Sequence, residues 1–255
     1  MSPTINKQWT SIINLQAYNS EFVAQGITQA NDKFLLHSVH EKDKKSYILI
    51  FNMHKNYLLT NKWLMPIEAT HTSDLEFKDN MLYAVDYKSN IIYIFDFEKS
   101  LKENKLILFK KIKTLIKGSG SASILKIKDE DYYVFSSFLY NNDLYFIKLY
   151  DLLTNSTGIL SPNDIIFSLK SEYFIQGLYS VSETLFIAVN KFGQDLIYEI
   201  SIKTYLSTGL IKDSIINIYN APTDMVEDIL IYKNLFITSG EDTNKIYVSN
   251  YKHRD

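Results

Sequence analysis

The stretch DLEFKDNMLYAVD (Asp74–Asp86) decides the fold, because four other stretches of the chain repeat its pattern. Each copy has an apolar strand, a short polar turn and a second, nearly continuous apolar strand. The other copies are GITQANDKFLLHSV (26–39), SILKIKDEDYYVFSS (123–137), GLYSVSETLFIAVN (177–190) and DILIYKNLFITSG (228–240). Two such strands around a polar turn are typical of a β-hairpin. The sequence therefore predicts five hairpins.

A third apolar segment follows each hairpin. These segments are YILIFN (47–52), IIYIFDF (91–97), LYFIKLY (144–150), LIYEIS (196–201) and KIYVSN (245–250). The first strands align on Ile27, Leu75, Ile124, Leu178 and Ile229, in steps of 48, 49, 54 and 51 residues. A regular period of this length with four strands per unit is typical of propeller blades. We therefore predict an all-β fold, a five-bladed β-propeller of four-stranded antiparallel blades.

Fourth, outer strands are expected between the units, and one is missing after the last unit. The candidates are Trp63–Ile67, Leu106–Ile112, Ile165–Leu169 and Ser214–Tyr219, while Asp96–Asn104 and Asp151–Asp164 are predicted to be loops or single turns. Ser11-Ile12-Ile13-Asn14 repeats as Ser214-Ile215-Ile216-Asn217, so residues 9–15 are predicted to complete the fifth blade and close the ring. The chain then forms one domain over 1–255, with units at about 21–67, 70–113, 118–169, 172–219 and 223–253.

Composition restricts the partners. A net charge of −2 argues against nucleic acid, which needs basic surface to displace counterions. The absence of cysteine excludes disulfides and thiolate metal sites. No apolar run has the length of a membrane span, and the N-terminus lacks the apolar core of a signal peptide, so we expect a soluble protein, either cytosolic or a secreted mature form. A monomer is expected, with a small molecule, a sugar or a protein as partner.

The predicted ring places polar side chains where its central channel opens, which is the deep pocket of such a fold. Some precede the inner strands and others end the second strands. The candidate ligand-binding residues are Gln25, His37, His71, Ser73, Asp86, Ser137, Gln176, Asn190, Glu227 and Glu241. Amides and hydroxyls suit recognition of hydroxyl or amide groups. Polar residues at equivalent positions of a repeat also bond blade to blade or hold water.

Two of these residues are candidates for catalysis. Glu227 and His71 near one axis could act as acid and base. His37, His71, Asp86 and Glu227 could also hold a divalent ion in the channel. No phosphate-binding loop, Rossmann glycine pattern, HExxH motif or nucleophile elbow occurs in the chain.

Two family resemblances follow from these motifs. The pattern of Met81–Asp96 resembles units of the YVTN/NHL/SMP-30-like propeller superfamily, whose lactonase-type members bind an ion through acidic and Asn ligands, a set that Glu227, Asn190 and Asp86 could imitate. VAQGI (23–27), IQGL (175–178) and VEDI (226–229) look similar to the blade starts of five-bladed plant and bacterial glutaminyl cyclases, whereas HTSDL (71–75) departs from that pattern. Because no motif matches a catalytic residue, no family role is transferred to a residue of this chain.

The sequence therefore favours a ligand- or protein-binding propeller with its recognition surface at the channel face. The alternative is a hydrolase, lactonase or glutaminyl-cyclase-like enzyme, which could depend on a metal ion. The alternatives predict different site chemistry, since the enzyme requires a bound ion or a tight cluster of carboxylate and histidine groups.

Overall fold

A computed structural model describes residues 4–42, 44–137, 143–171, 173–191, 193–222 and 225–250. Its strands form five sheets, each built on four antiparallel strands in consecutive order from an inner to an outer strand. The fold is the predicted five-bladed β-propeller.

The five blades follow one another along the chain. The first blade comprises Phe22–Ala30, Phe34–Glu41, Ser46–Asn52 and Leu58–Leu64. The second comprises Thr72–Lys78, Met81–Asp86, Ile91–Asp96 and Leu108–Thr114. The third comprises Ser119–Ile127, Glu130–Ser137, Leu144–Lys148 and Phe167–Leu169. The fourth comprises Ile175–Val181, Thr184–Lys191, Gln194–Ser201 and Ile215–Asn220. The fifth comprises Val226–Tyr232, Leu235–Gly240, Lys245–Asn250 and, from the other end of the chain, Thr10–Asn14.

The ring closes as predicted. Thr10–Asn14 pairs antiparallel with Lys245–Asn250 and supplies the outer strand of the fifth blade. Just before it, Thr4–Ile5 pairs in parallel with the outer strand of the fourth blade, Ile215–Asn220. One short segment therefore joins the edges of two neighbouring blades.

The connections between third and outer strands differ from the prediction. Three of them contain short helices, α1 (Phe97–Glu103), α2 (Leu149–Thr154) and α3 (Ile202–Thr208). The predicted loop at 96–104 is thus a helix, because the Asp96 side chain caps its start by accepting the N–H of Lys99 at 3.0 Å. At the other end, Asn104 terminates α1 in the left-handed conformation.

The long connection of the third blade is also structured. Within 151–164 the chain finishes α2, forms the short strand Ile159–Leu160 and ends in a 3-10 turn at Pro162–Asp164. That strand pairs in parallel with Leu108–Thr114 of the second blade, so the segment is not a loop confined to the third blade. The other 3-10 turns are Leu15–Ala17, Met53–Lys55 and Ile211–Asp213.

The outer strands lie slightly away from their predicted positions. In the first blade the strand is Leu58–Leu64 rather than Trp63–Ile67, because an irregularity in its register begins the pairing earlier in the chain. In the other blades, most ends of the outer strand differ from the prediction by one or two residues. The ends of exposed strands are hard to predict because their hydrophobic pattern is weak.

The apolar side chains fill the spaces between neighbouring blades. One cluster joins Leu36, Ile48 and Trp63 of the first blade to Leu82 and Tyr93 of the second. Such packing on both faces explains the nearly continuous apolar second and third strands. Among the described residues, no helix has the length and apolarity needed to cross a membrane.

Candidate functional site

Each inner strand has a β-bulge close to one end of the channel. The register with the second strand shifts at residues 25–26, 73, 120–121, 176 and 227. A bulge leaves its residue outside the ladder and redirects the side chain. The repeat therefore places one polar segment per blade around the same opening of the channel.

These segments line a pocket of about 200 Å³. Its walls combine hydrogen-bonding groups with a small apolar patch. The lining residues are Gln25, His71, Ser73, Tyr87, Lys88, Gly120, Ser121, Ile175, Gln176, Met225, Glu227 and Glu241. The pocket thus contains the predicted candidates Gln25, His71, Ser73, Gln176, Glu227 and Glu241.

The other four candidates lie outside this lining. His37 is fully buried, its Nδ1–H donates to the carbonyl of Ser38 at 2.6 Å, and burial lowers its pKa to about 4. Asp86 is buried and accepts the main-chain N–H of His71 at 2.7 Å, so it positions that residue instead of facing the pocket. Asn190 donates to Asp195 Oδ1 at 2.8 Å, and Ser137 is buried at the end of its strand.

Sequence reasoning missed several lining residues. Alignment of the repeats puts Ala122 at the position of Gln25 and Glu227, but the bulge of the third blade lies earlier, so Gly120 and Ser121 reach the pocket. Lys88 follows the predicted strand end, and Ile175 precedes the predicted inner position. The only sequence signal for the earlier bulge is the Gly-Ser-Gly-Ser run at 118–121.

Some polar side chains of the pocket lining form hydrogen bonds within the protein that stabilise the fold. Ser121 Oγ donates to the carbonyl of Gln176 at 2.7 Å and thereby ties the third blade to the fourth. Ser73 Oγ donates to the carbonyl of Val85 within its own blade at 3.3 Å. These hydroxyls already have partners, so recognition depends more on the amides and carboxyls of the pocket.

Gln25 is the clearest exception. Its side chain is 1% exposed and its Nε2 donates to the carbonyl of Ala24 at 2.6 Å. Only the nitrogen can donate to a carbonyl, which fixes the orientation of the amide. Among the described residues, Gln25 Oε1 has no hydrogen-bond partner. A buried acceptor without a partner is costly, and a ligand donor would satisfy it.

Glu227 and Glu241 form a carboxyl pair on the fifth blade. Burial raises the pKa of Glu227 well above its usual range, and the hydrogen bond and negative charge of Glu241 raise it further. Two hydrogen-bonded carboxyls cannot both be ionised at low cost, so the protonated form of Glu227 is favoured. The pocket therefore contains a carboxyl group that binds its proton more tightly than an exposed glutamate does.

His71 lies in an aromatic group on the opposite side. Its ring is 4.3 Å from the ring of His40 and 5.8 Å from that of Tyr87, measured between centroids. The first and second blades thus contribute a wall of packed rings, in which Asp86 holds the main chain of His71.

A second carboxyl pair lies at the next level of the channel, one residue beyond the bulges at Ser73 and Glu227. Asp74 and Asp228 are fully buried and hydrogen-bonded to each other. Asp74 also accepts the N–H groups of Leu75 and Ala122, at 2.6 and 2.7 Å, and burial raises the pKa of both carboxyls. Asp228 likewise accepts the N–H groups of Ile27 and Ile229, at 2.8 and 2.7 Å.

Glycines make room for this pair. A Cβ on Gly26 would overlap the main chain at Asp74 Cα, and a Cβ on Gly177 would lie 2.5 Å from Asp228 Cα. The two Gln-Gly pairs therefore have a structural explanation, since each glycine allows the next blade to approach.

Glu76 lies two residues beyond Asp74 on the same strand. Its carboxylate accepts the N–H groups of Phe77 and Ile124 at 2.9 and 3.2 Å and lies 3.1 Å from Ser123 Oγ. Burial raises its pKa to about 7, against the lowering effect of those hydrogen bonds. None of Asp74, Glu76 and Asp228 was among the predicted site residues.

A channel ion was considered possible from the sequence. In the part of the chain that the structure describes, no three His, Asp or Glu side chains are arranged to hold a metal ion. His37, His71, Asp86 and Glu227 therefore do not form such a group.

Comparison with known proteins extends only to the fold. No protein-family model matches the sequence, and no curated protein matches it. The glutaminyl cyclase of Myxococcus xanthus is similar in structure, with a TM-score of 0.63 and 9% identity over 97% of this chain and 98% of that one. At such low identity this likeness shows a shared fold alone.

Two other solved structures are more distant. Hydrazine synthase of Kuenenia stuttgartiensis has a TM-score of 0.47 and 12% identity over 85% of this chain and 55% of that one. BamB of Moraxella catarrhalis has a TM-score of 0.41 and 11% identity over 90% of this chain and 58% of that one. The likeness to the YVTN/NHL/SMP-30-like superfamily stays a prediction, and the chain is a five-bladed β-propeller similar in fold to a glutaminyl cyclase.

Proposed function

We propose that the protein binds a small polar molecule in the channel-mouth pocket, without transforming it. The observation that carries this proposal is Gln25, a residue of the pocket lining whose buried Oε1 has no hydrogen-bond partner among the described residues. Folding leaves such an atom unsatisfied at a cost of about 1–3 kcal/mol. A ligand that donates to it would recover that cost.

The pocket also has the composition of a recognition site. Gln176 and Glu227 add hydrogen-bonding groups from two further blades, and Ile175 and Met225 add apolar surface. A few placed polar groups beside apolar surface are typical of sites for small ligands. At about 200 Å³ the pocket favours a molecule of a few carbon atoms over a protein segment.

The test is a thermal-shift screen with separate panels of amines, amides, carboxylic acids and polyols. We expect one panel to raise Tm for the wild type and to leave Tm unchanged for the double variant E227Q/Q176A. The control is E183Q/Q29A, which changes the same residue types at an exposed turn and at the far end of an inner strand. A shift that persists in E227Q/Q176A would contradict the proposed site.

An enzyme is the second candidate, and the Glu227–Glu241 pair favours it. A carboxyl that stays protonated beside an acceptor carboxyl is suited to proton transfer during hydrolysis or cyclisation. Mass spectrometry of each bound compound after incubation separates the candidates. Recovery of a changed compound with wild type and of unchanged compound with E227Q would favour the enzyme.

A further inference from the structure

We propose that the molecule bound in the channel-mouth pocket is a small organic ammonium, held by Glu227, Glu241 and Gln25. This inference rests on the proposed function and names the chemical class of its ligand. Glu227 and Gln25 occupy equivalent bulges of the fifth and first blades, which are neighbours in the ring. All three side chains line the same pocket.

The accepting side chains of the pocket suit the donors of an ammonium group. An alkylammonium has three N–H donors and no acceptor. Three lining side chains can accept a hydrogen bond: Gln25, whose Oε1 has no partner among the described residues, Glu227 and Glu241. A hydroxyl has one donor, so an alcohol of the same shape could donate to only one of these side chains at a time.

The charges around Glu227 favour a cation. Glu241 contacts it on its own blade, and the charge of Asp195 acts on it from the fourth blade. Asp74 lies at the next level of the channel and adds less negative charge, because burial and Asp228 raise its own pKa. Removing a cation from water is costly unless it meets such negative charge. The fifth-blade side of the pocket therefore suits a cationic group.

The remaining titratable groups of the pocket belong to the second blade. They are His71, Tyr87 and Lys88. Lys88 therefore comes from a different blade than the carboxyl pair.

The proton balance of binding follows from the carboxyl pair. Without ligand, the adjacent carboxyl of Glu241 and the burial of the site favour the protonated form of Glu227. Where Glu227 is protonated, an arriving ammonium replaces that proton as the positive partner, and the proton leaves to solvent. Binding then releases up to one proton, and affinity increases up to about tenfold per pH unit while Glu227 is protonated in the free protein.

A metal ion fits these groups less well. In the described parts of the chain, no third His, Asp or Glu completes a metal site with Glu227 and Glu241. Ile175 and Met225 instead provide apolar surface for a short carbon chain.

The probe is n-propylammonium, and n-propanol is its uncharged control of the same shape. NMR titration at constant ionic strength should show propylammonium binding, with a dissociation constant on the order of 1 mM for so few atoms, and no propanol binding. Affinity should increase as pH rises through the raised pKa of Glu227. Titration of weakly buffered protein should show a fall in pH on binding.

Variants assign the effect to the site. E227Q should keep the wild-type Tm, because Gln resembles the protonated Glu, and should weaken binding at least tenfold and abolish its pH dependence. The exposed E183Q should bind as the wild type does.

Two outcomes overturn the inference. In the first, propylammonium does not bind, whereas a neutral compound binds the wild type and does not bind E227Q/Q176A. The proposed function then stands and the ammonium inference alone is wrong. If no compound of any panel binds, both fall.

Discussion

Asp74 of the second blade and Asp228 of the fifth blade are hydrogen-bonded to each other, although their blades are not neighbours in the ring. Each carboxyl also accepts a main-chain N–H of the following blade, Ala122 for Asp74 and Ile27 for Asp228. The pair therefore links two blade junctions through the centre of the molecule. One of these junctions is the seam where the last blade meets the first.

We expect Asp228→Ala to lower the free energy of unfolding by about 2–4 kcal/mol, because two buried N–H groups lose their acceptor. Urea denaturation followed by tryptophan fluorescence measures this change. Asp32→Ala, at an exposed turn, is the control and should change stability by less than about 0.5 kcal/mol. Equal stability of the two variants would show that the central pair contributes nothing.

Glu76 should make the protein less stable as pH rises. Its folded-state pKa of about 7 exceeds the usual value of 4.5, so its protonated form stabilises the fold fully below pH 4.5. This contribution is lost as pH rises through 7. Glu76→Gln should reduce the decrease in unfolding free energy between pH 4.5 and pH 7 by about 2–3 kcal/mol. Urea titrations across that range measure the change of unfolding free energy with pH, and E183Q is the control. The prediction is wrong if Glu76→Gln shows the same pH dependence as the wild type and E183Q.

Gly26→Ala should be strongly destabilising. The new Cβ would overlap Asp74 Cα, and neither backbone can move without disturbing the central pair. We expect a loss of about 3 kcal/mol or more. Gly209→Ala is the control: its φ of +71° costs about 1 kcal/mol, but its Cβ meets nothing within 4 Å. Thermal unfolding should give a much lower Tm for Gly26→Ala than for Gly209→Ala. The reverse order would contradict the close approach of Gly26 to Asp74.

Two deletions test ring closure. Removing residues 1–8 loses the short parallel strand of the fourth blade and the contacts of Lys7 with Asn220 and Asn250. Removing 1–14 also loses the outer strand of the fifth blade. The longer deletion uncovers the edge of Lys245–Asn250 and removes buried Ile13, worth about 1.5–3 kcal/mol by itself. Tm should fall slightly for the first and steeply for the second. Similar Tm values would mean that the ring does not depend on this strand.

The hairpins, the number of blades and the ring-closing strand were predictable because they depend on period and local pattern. The central carboxyl pair was not. The residue just before each anchor is Gly26, Asp74, Ser123, Gly177 or Asp228. The sequence therefore shows that glycine and aspartate recur at this position of the repeat. Which blades face each other depends on the geometry of the closed ring, and no local spacing contains that information.

The pocket was predictable in part for a similar reason. Residues at equivalent bulges, such as Gln25, Gln176 and Glu227, follow from the repeat. Ser121 does not, since a bulge can move by two residues at little cost where glycine is present. His37 follows the repeat pattern but is buried, because strand alternation alone does not tell a channel-facing residue from one between blades.

The ring-closing strand has a consequence for how the chain is made. Thr10–Asn14 leaves the ribosome before any other part of the blade it completes, and Lys245–Asn250 leaves after the other four blades. Until then the early strand lacks the partner with which it pairs in the fold, and open blade edges are available to which other chains can pair. Folding therefore ends with the contact of greatest sequence separation, which is slow to form. We expect the nascent protein to need protection from aggregation until its last strand is available.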